Sequence, residues 1–412
     1  MRVPRGAIAA QWGLMTELSG LTMSLLTFVV VGSRLGPGRF GLLAAVLATI
    51  GLLGPLLTAS PEHVIVQRIA QGTPCRDAWM RSVAVLVTVG PLSSLAIVAV
   101  AVVVAPGMSP AAVILISIGE IASLGLSRVA VRAHEAEGDS RSGARVAALT
   151  LLFRAAALVA FLTLASPTLT SWSVLHFLSS GVAGYVAHRS LFRGTSIRPN
   201  ISLPTTDDYR LGLPFSLNAG PDGLLSDNDK MVLSGSGLEV DAGIYAAAYR
   251  IASIAGVPAR SVLRIRYASY FRKENQSAES SVRNAWSIVR ATAPAGLASG
   301  LAIFFLAPVA EWVLGDDFSD SVPALRLLAF LPFIRSILTP GANVLTGTGR
   351  QRLRIFGTLG AGLLNLGLNL LLIPSYGWRA AVFTTLLAEL ALLVWVWFHV
   401  LRPGKNFASP QR

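Results

Sequence analysis

The stretch Leu224–Gly237, LLSDNDKMVLSGSG, decides how often this chain crosses a membrane. Two aspartates, an asparagine and a lysine fill positions 227–230. In a soluble protein this would be a surface turn. Its surroundings, however, are mostly apolar: 53% of the 412 residues are hydrophobic and 13% are charged. Soluble domains carry about 25% charge. Apolar runs at 42–59, 83–105 and 380–397 reach the roughly 18 residues that cross a bilayer. The quoted stretch is therefore either the end of a membrane helix or a loop outside one.

Reading it as helix gives about twelve spans, near 7–32, 39–59, 82–105, 110–131, 145–165, 171–191, 211–234, 242–262, 288–313, 321–345, 353–374 and 378–401. The basic residues test this count, because cytoplasmic segments of membrane proteins carry an excess of Lys and Arg. With the N-terminus inside, 26 of the 34 basic residues fall on cytoplasmic segments, and only Arg34, Arg39 and Arg379 fall outside. A span missed or invented in the middle would scramble that asymmetry. Both termini are expected in the cytoplasm. Arg2 and Arg5 precede a long apolar stretch that carries Glu17, which reads as a first transmembrane helix and not as a removable signal.

The chain also reads as two halves. GSRLGPGRFGLLAAV (Gly32–Val46) follows span one, and GSGLEVDAGIYAAAY (Gly235–Tyr249) follows span seven. Leu35 and Gly41 match Leu238 and Gly243 with a one-residue gap. Six spans per half preserve orientation, so the halves read as parallel repeats; the alternative is that both stretches are merely Gly-rich turns. The expected organisation is a six-helix bundle at 1–195, a cytoplasmic linker at 196–209 and a second bundle at 210–412.

Several function classes drop out. The net charge of +13 follows from the cytoplasmic anchors, so nucleic acid is not an expected partner. One cysteine, Cys75, excludes an internal disulfide and a cysteine metal cluster. The five histidines show no ligand spacing, and no metal or other cofactor is expected. No phosphate-binding Walker loop is present, nor a Ser/His/Asp constellation, so no catalytic residues are assigned. The segment 263–287, with Tyr267, Tyr270 and Phe271 among basic residues, reads as an amphipathic cytoplasmic helix favoured by anionic membrane lipids.

Charges inside the spans then carry the functional argument. They include Glu17, Glu120, Arg154, Asp222, Asp227, Asp229, Lys230, Arg250, Arg335 and Glu389. Each costs about 2.5–3.5 kcal/mol at a helix centre, so each needs a partner or a watery cavity. At 100° per residue, Asp222 and Asp229 share one face of span seven. Asp227 lies opposite, spaced i,i+3 from Lys230, and the two can form an ion pair. The alternative is that the span ends early and 227–230 is an outside loop. Arg250, Arg335, Arg154 and Lys230 suit an anionic head group; pairing with Glu17, Glu120 or Glu389 is the equal alternative for each arginine. Asp222, Asp229, Glu17, Glu120 and Glu389 are candidate cavity or coupling acids.

Four stretches resemble the bacterial oligosaccharide flippases, the polysaccharide biosynthesis proteins of the multidrug/oligosaccharidyl-lipid/polysaccharide exporter superfamily. They are LGPGRFGLLAAVLATIGLLGPLL (35–57), DKMVLSGSGLEVDAGIYAAAYRIASI (229–254), VLGDDFSDSVPALRLLAF (313–330), and VLTGTGRQRLRI (344–355) with LNLGLNLLLIPSYGWRAAVFTTLLAEL (364–390). The resemblance implies two six-helix bundles forming a V around a central cavity. It implies a transporter, not an enzyme, of the bacterial plasma membrane, moving polyprenyl-diphosphate-linked oligosaccharide by alternating access. A proton or sodium gradient would drive it, and polysaccharide polymerase and glycosyltransferases would be its partners. It also places Asp229-Lys230, Arg250 and Glu389 at positions with family counterparts. The alternatives are a multidrug exporter of the same superfamily, a lipid II flippase, or a membrane scaffold or enzyme of polysaccharide assembly.

Overall fold

The computed structural model describes residues 5–192, 204–271 and 277–402, without the side chains of 5–18, Asn218, Ala268 and Ala278. Arg2, the linker residues 196–203 and Arg272-Lys273 lie outside it, as does the side chain of Glu17. Among the described residues the fold is all helix, with no strand. Eight of the described helices are long and apolar enough to cross a membrane, and the chain is a multi-pass membrane protein. One of the eight covers 52 residues, Ser19–Ala70. At 1.5 Å per residue that length passes through a bilayer twice.

The doubling is visible in α1 (Arg5–Thr58), which breaks at Gly36 with φ 75° and ψ 167°. Only glycine enters that backbone region without strain. Pro37 follows and withdraws a donor. In the second half, Gly237 has φ 76° between α8 (Thr206–Gly235) and α9 (Glu239–Ala255). Each half therefore turns on a glycine at nearly equivalent positions.

The chain divides into two compact units, Met1–Gly220 and Pro221–Arg412, with the division inside α8. In the first unit α1 packs on α3 (Cys75–Val104) and α6 (Ser140–Leu162), and α6 packs on α7 (Leu169–Leu191). Polar caps start these helices. Thr168 and Ser171 form a reciprocal capping box on α7, and Asp139 accepts from Ser142 N on α6. The short α2 (Pro61–Ala70) was not expected. Its Arg68 is a buried partner of Asp208 at the start of α8 and not a solvated anchor.

The fourth expected span is composite: α4 (Pro110–Ile118), a π-helical turn at Gly119–Ser123 and α5 (Leu124–Ala136). In the second unit α11 (Ala278–Leu306) packs on α14 (Leu331–Gly347), and α15 (Gln351–Tyr376) packs on α16 (Trp378–Leu401). The short α12 (Pro308–Leu314) and α13 (Ser321–Leu328) precede α14.

The single amphipathic helix expected at 263–287 does not form. α10 (Val257–Arg266) passes into a 3-10 turn at Tyr267–Phe271. Ser277 then caps α11 by accepting from Ser280 N at 3.2 Å. A serine cap of this kind starts a new helix, and it lies within the stretch read as continuous. The 3-10 turn itself leaves Tyr267 and Phe271 exposed and buries Tyr270.

Candidate functional site

The stretch 224–237 is helical as far as Gly235 and belongs to α8. Its charges are buried: Asp229 is 0% exposed and Lys230 8%. Lys230 Nζ donates to Asp227 and to the Ser226 carbonyl at 3.0 Å, and sits 4.7 Å from the Tyr249 ring centroid. Two groups of its own helical turn and one ring from α9 thus hold the ammonium, and Asp227 balances its charge. This arrangement uses Lys230 internally, where a head-group contact had been the competing expectation.

Asp229 points into a polar knot. It accepts from Tyr245 OH at 2.5 Å, from Thr385 Oγ1 at 3.2 Å and from Asn369 Nδ2. Asn228 donates to Asn365 Oδ1 at 2.6 Å, Asn369 donates to Asn228 Oδ1 at 2.7 Å, and Thr384 donates to Asn369 Oδ1. Away from water each of these groups needs such a partner. Gly362 permits the knot, because a Cβ there would meet Leu224 at 3.2 Å and the Leu225 nitrogen at 3.3 Å. α15 can therefore approach α8 closely enough for the amides to touch.

Asp222 takes a different role from Asp229, contrary to the expectation that both face one cavity. Asp222 is exposed and lines a cavity of about 220 Å³ with Ser226, Arg335, Arg354, Thr358 and Glu389. Asp229, seven residues further along the same face, rises about 10 Å to the level where α15 and α16 close over it. It is absent from that lining.

Arg335 is the pivot of the cavity. Its Nε donates to Glu389 Oε1 at 2.8 Å, and its Nη2 donates to the same oxygen at 2.5 Å and to Tyr249 OH at 2.9 Å. Glu389 is 2% exposed, and its Oε2 is buried with no hydrogen-bond partner among the described residues. Internal pairing, one of the two expectations for this arginine, is therefore present. Arg354 Nη1 donates to Thr346 Oγ1 at 3.2 Å at the cavity wall. The lining balances two guanidiniums against two carboxylates.

The other expected residues lie elsewhere. Arg250 is exposed on α9 and lines neither this cavity nor the one beside it described below. Arg154 belongs to the first unit, where its Nε is buried and has no hydrogen-bond partner among the described residues. Glu120 sits in the π-helical turn, 3.4 Å from His176 Nε2. The four expected head-group cations therefore do not form one cluster within a unit. The sequence reading missed Arg354, Tyr249 and the amide knot. Asn365 and Asn369, spaced i,i+4 in the apolar run LLNLGLNLLL, were the available signal for the knot.

At the level of sequence, no family model and no curated protein matches the chain. Solved structures do match it along almost its whole length. A multidrug-resistance transporter of the MATE family of the MOP superfamily, in an inward-facing conformation, aligns with TM-score 0.73 and 15% identity, covering 92% of this chain and 94% of that one. The lipid II flippase MurJ, in an inward closed conformation, aligns with TM-score 0.66 and 12% identity, covering 97% and 89%. A MOP-superfamily transporter from Pyrococcus furiosus, described as having a binding pocket of reversed polarity, aligns with TM-score 0.53 and 16% identity, covering 96% and 95%. The fold is that of the transporters and flippases of the MOP superfamily.

Proposed function

We propose that this protein is a flippase that carries the polar head of a polyprenyl-diphosphate-linked oligosaccharide across the bacterial plasma membrane, making and breaking no covalent bond. The observation that carries this reading is the charge-balanced cavity of Asp222, Arg335, Arg354 and Glu389 among apolar helices. Carboxylates accept and guanidiniums donate, so the pair of types matches the mixed donors and acceptors of sugar hydroxyls. The likeness in fold to a lipid II flippase supports a lipid-linked cargo. The lipid tail would stay in the bilayer while the head crosses by alternating access. Asp229 is the coupling acid on this reading, responding to a proton or sodium gradient. Glycosyltransferases and a polymerase would supply and consume the saccharide.

A multidrug exporter is the second reading, favoured by the likeness to a multidrug-resistance transporter and by the exposed Asp222, which suits a cationic drug. Drug sites are lined mainly by apolar and aromatic groups, whereas this cavity has no aromatic lining residue among the described ones. Reconstitution separates the readings. Proteoliposomes holding the protein should move a polyprenyl-diphosphate oligosaccharide to the opposite leaflet, and Arg354→Gln should slow that movement at least tenfold. Transport of cationic drugs with no movement of the lipid-linked sugar would replace the flippase reading with the exporter.

A further inference from the structure

Beside the charge-balanced cavity lies a second one, of about 110 Å³. About 10–15 Å³ of such space holds one water, so it has room for a group of several heavy atoms. Ser253, Gly256 and Arg260 line it from α9 and α10, and Arg335, Ser336 and Thr339 from α14. Arg335 and Thr339 belong to both linings, so the two spaces share a wall on α14.

The chemistry of the two linings differs. Among the described residues the first has two carboxylates beside its two guanidiniums, whereas the second has two guanidiniums and no carboxylate. A carboxylate offers only acceptors and repels a phosphate; guanidinium forks match phosphate geometry. The Ser253 hydroxyl is buried and has no hydrogen-bond partner among the described residues, so it can donate to an incoming oxygen. Glu389 engages Arg335 through Nε and Nη2, and Nη1 is not spent on that pair. Gly256 makes space for the remaining cation: a Cβ there would stand 3.0 Å from Arg260 Nη1.

We propose that the second cavity is a phosphoryl subsite, in which Arg260, Arg335 and Ser253 bind the phosphate or diphosphate of the cargo while the adjoining cavity holds its sugar. The identity of the cargo as a lipid-linked saccharide rests on the reading above; the anion site rests on its own lining. A phosphate could reach it from a lipid head group or as a free anion, and the test separates these sources.

The full chain in lipid nanodiscs would be titrated with polyprenyl diphosphate lacking sugar, and separately with inorganic pyrophosphate. Loss of one charge-assisted contact should weaken polyprenyl diphosphate binding by Arg260→Gln about tenfold to hundredfold. Arg260→Lys should recover part of the loss, and Ser253→Ala should lose less than Arg260→Gln. Arg352→Gln, an exposed neighbour that lines neither cavity, should bind as the unaltered protein does. Competition by free pyrophosphate would identify the free anion as a ligand, and its failure to compete would identify the lipid form. Binding by Arg260→Gln equal to that of the unaltered protein overturns the subsite, even if translocation of lipid-linked sugar is intact. Conversely, loss of diphosphate binding in Arg260→Gln upholds it, even if no lipid-linked sugar is moved.

Discussion

Glu389 and Arg335 depend on each other more than either depends on solvent. Glu389 is 2% exposed and the Arg335 side chain 27%. Removing one partner of a buried pair leaves an uncompensated charge and costs about 3–5 kcal/mol. Arg335→Gln should therefore lower the thermal midpoint of the solubilised protein sharply, whereas Arg335→Gln with Glu389→Gln should regain most of the loss. A double variant as unstable as the two singles added together would show that the pair does not hold this region. Asp229 invites a different experiment, because all three of its neighbours donate to it. Asp229→Asn keeps the shape and removes the charge. We expect it to retain substrate exchange in proteoliposomes but to lose stimulation by an imposed ion gradient. The sequence exposed these charged residues because charge is rare in apolar spans. It did not expose Arg354 or Arg260, which follow the same pattern as the cytoplasmic anchors. An arginine near a helix end reads alike whether it faces solvent or a cavity, and only the packing of α9, α14 and α15 distinguishes the cases.

α8 is fixed at its start by contacts within the first unit. Ser216 Oγ donates to the Pro55 carbonyl at 2.7 Å and meets Ser60 Oγ at 3.0 Å, and Arg68 pairs with Asp208. Burial raises the Asp208 carboxyl, but the Thr205 backbone N–H and hydroxyl, together with Arg68, outweigh it and hold the group below its usual range. The sign follows from linkage: a depressed native value contributes stability above the unfolded value, about 3.9, and loses it as pH falls through the native one. Thermal midpoints should therefore fall between about pH 4 and the native value, and Asp208→Asn should flatten that fall. An unchanged acid dependence in Asp208→Asn would assign it to other carboxylates. Gly36 tests the break in α1. No described atom lies within 4 Å of a Cβ there, so Gly36→Ala should cost only backbone strain, of order 1–3 kcal/mol, read as a lowered midpoint. All twelve expected spans have helical counterparts, because a bilayer imposes long apolar periods that a sequence shows directly. The short α2 and the π-helical turn were not legible. Each depends on tertiary partners, Asp208 for α2 and the close approach of His176 to Gly119 for the turn.

Orientation is a property of the whole chain, and it rests on the distribution of charge. The asymmetry of 26 basic residues against three places both termini in the cytoplasm if the positive-inside rule governs insertion. A flippase reading needs that orientation, since its cargo is assembled inside and must leave. The sole cysteine makes the test simple. With Cys75→Ser as background, single cysteines would be placed at Ser319 and at Glu137, both exposed. Ser319 lies between the acidic 3-10 turn Asp316–Phe318 and α13, and Glu137 lies in the turn between α5 and α6. A membrane-impermeant maleimide should label Ser319→Cys in intact spheroplasts and label Glu137→Cys only after permeabilisation. The opposite pattern would invert the protein and direct its proposed cargo inward. Labelling of both from outside would mean that the two orientations coexist, and the charge asymmetry would then have failed to choose between them.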